Sequence, residues 1–204
     1  ENFCTRSELS YLFSKEISIK NKDLSKLGVI GMISGKQKEK FFKINKQIID
    51  DTEDLTIKKG VILHPSTRPL RRSLEYSTSP YIPGVTGNGN GVREILKEAK
   101  ISEDKTLLEL DKNEMSRLIT SIILRQTKDN RQENVLGNLY TLKFFNVKED
   151  IREISVLINA CANLGHADMA VAYCLENEKA KSLAIEIYTK YNQELISGLK
   201  IAEK

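Results

Sequence analysis

Apolar positions recur along most of this chain at helical spacing. Leu9, Leu12, Phe13 and Ile17 fall at steps of three and four behind Ser7, so a helix is expected over 7–17 with Ser7 as its cap. Leu24, Leu27, Val29, Ile30, Met32 and Ile33 make the next segment apolar nearly all round, the mark of a buried helix rather than a surface one. A third, more basic helix over 38–50 carries Phe41, Phe42, Ile44, Ile48 and Ile49. No complete doubly wound sheet fits before residue 50, because one βαβ unit alone takes about 30 residues, so these elements read as the end of a larger α/β lobe.

The pattern changes over 61–86. All four prolines fall here, at 65, 69, 80 and 83, together with Arg68, Arg71 and Arg72. Proline fixes φ and disrupts a helix interior, so an extended, turn-rich path joining two folded parts is expected, with fixed positive charge along it. Gly87, Gly89 and Gly91 then precede a short helix over 92–100. Met115, Leu118, Ile119, Ile122 and Ile123 predict a helix over 112–127, capped by Asp111 or Asn113. Residues 135–145 read as a strand near a turn at Gly137-Asn138, and Ile151, Ile154, Leu157, Ile158 and Cys161 line one face of a helix over 149–164. The short, unbroken apolar run 169–175 reads as a buried strand. A last helix over 179–199 is expected to pack through Leu183, Ala184, Ile187, Tyr191, Leu195 and Leu199. The fold class is therefore α/β, with a back half that forms a compact α+β unit.

Composition narrows the classes. At 204 residues and 40% apolar, the chain is long enough for one ordinary core or two small lobes. No stretch approaches the roughly 20 consecutive apolar residues of a bilayer crossing, so no membrane partner is expected and a soluble, cytoplasmic protein is. Cys4, Cys161 and Cys174 show no Cys-x-x-Cys spacing, which argues against a disulfide framework or a thiolate metal site. The chain begins at Glu1 rather than Met, which reads as a fragment or an incomplete chain. Net charge is only +4, so local clusters must carry any nucleic-acid argument.

Arg68, Arg71 and Arg72 are the strongest such cluster, with Lys58 and Lys59 upstream and Lys36, Lys38, Lys40, Lys43 and Lys46 on the third helix. Charges in this number can track a phosphate backbone or form a merely solvated face, and Tyr76 and Tyr81 are candidates for base stacking or for packing anchors. The Thr86-Gly-Asn-Gly-Asn-Gly91 run lacks the preceding strand and nearby lysine of a phosphate-cradling loop and reads as a turn and cap. His64 and His166 are the only histidines and lie far apart. Two-metal phosphoesterases need carboxylates and imidazoles converging on metals about 4 Å apart. Asp50-Asp51, Glu53-Asp54 and Glu149-Asp150 are not paired with histidine and read as solvated loops or helix starts, so no catalytic set, metal or cofactor is expected.

Several blocks together resemble the second half of archaeal RecJ-like proteins of the DHH phosphoesterase superfamily. They are Asn21 to Gly31, Arg68-Pro-Leu through Pro83-Gly-Val-Thr-Gly87, Leu118 to Arg125, and Leu157 to Ala162 followed by Ala170 to Leu175. The resemblance implies that 1–55 is the end of a degenerate DHH-type lobe, 56–105 a connecting segment with a short helix, and 106–204 a DHH-associated domain with a small mixed sheet packed by helices. Active members carry a metal-binding aspartate in Gly-x-x-Gly-Asp-x-Gln. Here the run is Gly31-Met-Ile-Ser-Gly-Lys-Gln37, with Gly35 in the aspartate's place and Lys36 beside it. Glycine offers no ligand, and an ammonium repels a divalent cation. The Gly-Gly-His-x-x-Ala-Ala-Gly element of the associated domain corresponds to Gly165-His166-Ala-Asp-Met-Ala-Val171, which makes His166 a candidate nucleic-acid contact by resemblance alone.

These departures are similar to those of the nuclease-dead branch, cell-division-control protein forty-five and its archaeal counterparts. That resemblance implies a non-catalytic replisome subunit that binds the GINS complex, reaches the MCM helicase through it, and contacts single-stranded DNA. Two alternatives stay open at this point: an active single-strand exonuclease with its metal site upstream of Glu1, and a free-standing single-strand binding module.

Overall fold

The structure, a computed structural model, describes residues 5–35, 43–77, 80–128 and 135–202. It is α/β: helices dominate, and the one sheet among the described residues is three-stranded and antiparallel, in the order β1 (Thr56–Val61), β2 (Leu136–Phe144), β3 (Val147–Asp150). Two compact units share the chain, 1–55 with 142–204, and 56–141. Among the described residues no helix is long and apolar enough to cross a membrane.

The first unit opens with α1 (Arg6–Ile17), a 3-10 turn (Ile19–Leu24), α2 (Ser25–Ser34) and α3 (Lys43–Asp51). The expected cap moves two residues upstream. Thr5 rather than Ser7 starts α1, closing a capping box in which the Thr5 side chain accepts from Glu8 N–H and the Glu8 carboxylate accepts from Thr5 N–H. Glu8 and Tyr11 are buried, whereas Leu9, Phe13 and Ile17 stand 56, 69 and 68% exposed. The packed face of α1 is set instead by close approach to α2: a Cβ on Gly31 would collide with the Ser7 side chain, and one on Gly28 would meet Tyr11 Cβ at 3.2 Å. The expected burial of α2 is seen at Val29, Ile30 and Met32. Phe41 and Phe42 lie outside the described residues.

The same unit resumes in the last residues of β2 (Leu136–Phe144), then β3 (Val147–Asp150), α7 (Ile151–Asn163), α8 (Ala167–Cys174) and α9 (Glu178–Ala202). Gly137 and Asn138 are ladder residues opposite Gly60 and Lys59, not a turn. The chain reverses at Phe145 and Asn146, with φ of 51° and 59°. Two consecutive positive φ values give the hairpin a twist that suits its strands. Phe tolerates this because Glu176 accepts its N–H at 2.7 Å and its ring packs against Phe144 and Tyr173, with centroids 5.0 and 5.2 Å away.

The buried strand expected over 169–175 is helix α8. Ala170 and Tyr173, three residues apart, face inward, and alanine and methionine favour helix once the run is too short to show a period. Among the described side chains of α9 the buried ones are Ala180 and Ala184; Leu183 is exposed, and the side chains of Leu195 and Leu199 lie outside those described. Cys161 and Cys174 are free thiols, while Cys4 lies outside the described residues.

The second unit contains β1 (Thr56–Val61), α4 (Leu70–Glu75), α5 (Gly89–Ala99), α6 (Lys112–Lys128) and the first part of β2. Its β1 pairs antiparallel with β2 from Thr56↔Thr141 to Val61↔Leu136. One apolar cluster fills it, including Leu63, Leu70, Leu74, Ile82, Ile95, Leu107, Leu118 and Leu139. Asp111 caps α6, accepting from Glu114 N–H at 2.8 Å while Glu114 accepts from Asp111 N–H at 3.1 Å. Asn88 caps α5 by accepting from the N–H groups of Asn90 and Gly91, so the glycine run is a turn and cap.

Candidate nucleic-acid interface

The proline-rich segment is not a plain extended connection. Its four prolines bracket a six-residue helix, α4, whose Leu70, Ser73 and Leu74 are buried in the unit's core. Proline at 69 suits the start of that helix, since it fixes φ and its missing N–H is one the first turn would not use. Backbone groups around it are satisfied by a neighbouring turn: Leu70 N–H donates to Lys105 C=O at 2.8 Å and Arg71 N–H to Glu103 C=O at 3.2 Å. Ser73 Oγ donates to Pro65 C=O at 2.6 Å. The helix start thus has no spare N–H at these positions, and an anion must be met by side chains.

Those side chains are on the surface. Arg68, Arg71 and Arg72 are exposed, and the inward spacing of Leu70, Ser73 and Leu74 dictates it, because Arg71 and Arg72 take the remaining face of a helix anchored on its other side. Arg71 reaches Asp104 at 3.8 Å, a solvent-screened pair. Arg72 has no carboxylate partner among the described residues. The two tyrosines part company. Tyr76, the C-cap of α4 and one turn beyond Arg72, is 72% exposed. Tyr81 is partly buried, and its backbone carbonyl accepts from Gln126 Nε2 at 3.2 Å.

Lys58 is not part of this face. Its ammonium donates to the carbonyls of Leu107, Leu108 and Leu110 at 3.4, 2.8 and 2.9 Å and holds the turn before α6. Nothing in the spacing of charges signals this role, which depends on three carbonyls about fifty residues downstream. Lys59 is exposed. Of the lysines expected on the third helix, Lys36, Lys38 and Lys40 lie outside the described residues, Lys43 is described by its backbone alone, and Lys46 is exposed on α3.

His166 belongs to the other unit. It is exposed at the start of α8 after Gly165, whose φ is +80°, and its side chain makes no capping bond. Gly35 ends α2 with its N–H donating to Gly31 C=O at 3.2 Å. A Cβ there would meet Thr5 Cγ2 at 3.5 Å, ordinary contact, so packing does not demand glycine at this position.

The first unit also contains a polar cleft of about 250 Å³ lined by Lys22, Lys26, Asp51, Thr52, Asn146, Glu176 and their neighbours. Four of its charges face one another: Lys26 pairs with Glu176, and Lys22 lies 3.9 Å from Asp51. Asp51, expected to be solvated, is largely buried and also accepts from Tyr11 Oη at 2.9 Å and from Lys15 Nζ. Burial pushes its carboxyl up, but those hydrogen bonds and the Lys15 and Lys22 charges outweigh it and hold the group below the ordinary aspartate range. Burial and the bond to Asp51 push the Tyr11 phenol up. Asp150 is buried as the N-cap of α7, accepting from Arg152 N–H at 2.9 Å. Among the described residues no three His, Cys, Asp or Glu side chains gather to hold a metal ion.

Comparison with known proteins brings in one family. The family model Archaeal Cdc45 matches residues 9–204. The chain is similar to an uncharacterized protein of Methanocaldococcus jannaschii, at 26% identity over 199 residues that make up 96% of this chain and 44% of that protein. It is also similar, at 27% identity over 216 residues, to the DNA-directed RNA polymerase subunit beta' of Metamycoplasma arthritidis, covering 98% of this chain and 14% of that subunit. The chain therefore spans less than half the length of either relative.

Proposed function

The chain belongs to the archaeal Cdc45 family, and on that premise we propose that it acts in DNA replication as a non-catalytic, RecJ-like subunit. In this reading it binds the GINS complex, joins the MCM helicase through GINS, and contacts single-stranded DNA. The observation that carries the proposal is the family match over residues 9–204. Residues 1–55 are then the end of a DHH-type lobe that has lost its metal ligand, with Gly35 where the aspartate of active relatives stands.

The exposed Arg68, Arg71 and Arg72 support the nucleic-acid part of the reading, because phosphate contacts need cations that remain in solvent. His166, exposed in the other unit, is the second contact that the resemblance suggests. Pull-down of the chain with purified GINS subunits at physiological salt tests the central claim. Retention is expected, and its absence overturns the reading. Incubation with single-stranded DNA and manganese tests the rest: no nucleotide release is expected, and release marks a working exonuclease instead.

A further inference from the structure

We infer that Tyr76 is a stacking platform for an unpaired nucleobase, set one helical turn from the arginine that holds the adjoining phosphate, Arg72. The inference deepens the single-strand reading of the arginine face and rests on it.

Its first support is the exposure of the ring. A single apolar side chain at the surface is ordinary, and 72% exposure of Tyr76 would mean little by itself. Its surroundings give it meaning. The backbone that presents the ring is fixed on both sides: Tyr76 N–H donates to Arg72 C=O at 3.0 Å, Ser77 Oγ to Pro80 C=O at 2.7 Å, and Thr86 Oγ1 to Ser77 C=O at 2.9 Å. The ring is thus carried on a backbone that is hydrogen-bonded at Tyr76 and Ser77, which reduces the ordering a ligand has to impose.

The second support is charge. Positions four apart on a helix share a face, which sets Tyr76 beside Arg72. Arg72 has no carboxylate partner among the described residues, unlike Arg71 beside Asp104. A cation with no carboxylate partner among the described residues and an exposed aromatic ring on one helical turn match the two halves of a nucleotide, phosphate and base. Every base has a π face, so such a platform is tolerant of sequence. In a duplex those faces are covered by their neighbours, so the same platform selects single strands.

The test is fluorescence anisotropy of the full chain with a short labelled oligothymidylate and with an abasic strand of equal length, each over a salt series. For Tyr76→Ala, oligothymidylate binding is expected to weaken by about 5- to 150-fold, the usual worth of one stacked base. Abasic binding and the salt slope are expected to stay as in the wild type. Tyr76→Phe keeps the π face and should bind as the wild type does. Tyr76→Leu keeps apolar bulk without it and should bind like Tyr76→Ala.

If Tyr76→Ala binds oligothymidylate normally while Arg72→Ala weakens binding and flattens the salt slope, the arginine reading stands and the stacking inference falls. Should Tyr76→Ala weaken abasic binding equally, the ring supports α4 rather than a base, and the inference falls again. A wild-type chain that binds neither strand removes the single-strand reading, and the inference with it.

Discussion

Asp51 accepts from Tyr11 Oη and Lys15 Nζ and lies 3.9 Å from Lys22, so one carboxylate ties α1 and the 3-10 turn to the end of α3. Because its folded pKa is depressed, the stability it contributes is complete above the ordinary aspartate value of 3.8 and fades as pH falls through the lower folded value. Asp51→Asn is expected to lose about 1–3 kcal/mol at neutral pH. The gap from wild type, read from urea unfolding, should shrink in acid below the ordinary value; a gap that widens there contradicts the assignment. Lys58 makes a similar point about what sequence reveals. As text it is one more positive charge, and only the fold brings three carbonyls to its ammonium. Lys58→Met should therefore cost about 1–3 kcal/mol of stability while leaving the salt slope of nucleic-acid binding unchanged. A flattened slope without loss of stability would return Lys58 to the binding face.

Among the elements, helices with long apolar periods were legible from their residues, as α6 and α7 show. Expectation failed where local chemistry or a close neighbour outweighed the period. The apolar steps Leu9, Phe13 and Ile17 do locate α1, yet they mark its exposed side, because Gly28 and Gly31 of α2 let α1 approach closely along the side that carries Ser7 and the buried Tyr11. The run 169–175 is too short for helix and strand to differ in pattern, and its alanines decide it. Prolines at 65, 69, 80 and 83 hid a helix because they sit around α4 rather than in it. The close approach of α5 supplies a sharper test. A Cβ on Gly91 would collide with the Gly84 carbonyl, which is backbone and cannot rotate away, so Gly91→Ala is expected to destabilise the chain by about 1–3 kcal/mol in urea unfolding. An unchanged midpoint would mean that the 82–85 turn yields freely.

For the whole molecule, the chain order 1–55, 56–105, 106–204 does not reveal which residues share a core. Contacts group 1–55 with 142–204, and pairing between remote segments leaves no mark on composition or period. The continuous unit 56–141 has an apolar cluster drawn wholly from its own residues, from Val61 to Leu139. Expressed alone, it is expected to unfold cooperatively in urea with dispersed amide resonances; a collapsed, poorly dispersed spectrum would refute its independence. The arginine face was legible as a cluster, since three arginines between prolines stand out in any reading. The contrast between Tyr76 and Tyr81 was not, because exposure depends on which side of a fold a residue meets.

The rung Thr56↔Thr141 has one more implication. Opposed Cα atoms on an antiparallel ladder are about 4.5–5.5 Å apart, a gap that one or two residues bridge at about 3.3–3.6 Å each. The stretch between them is therefore hemmed at its own seam: lifted out entire, it leaves two threads that a single short stitch rejoins.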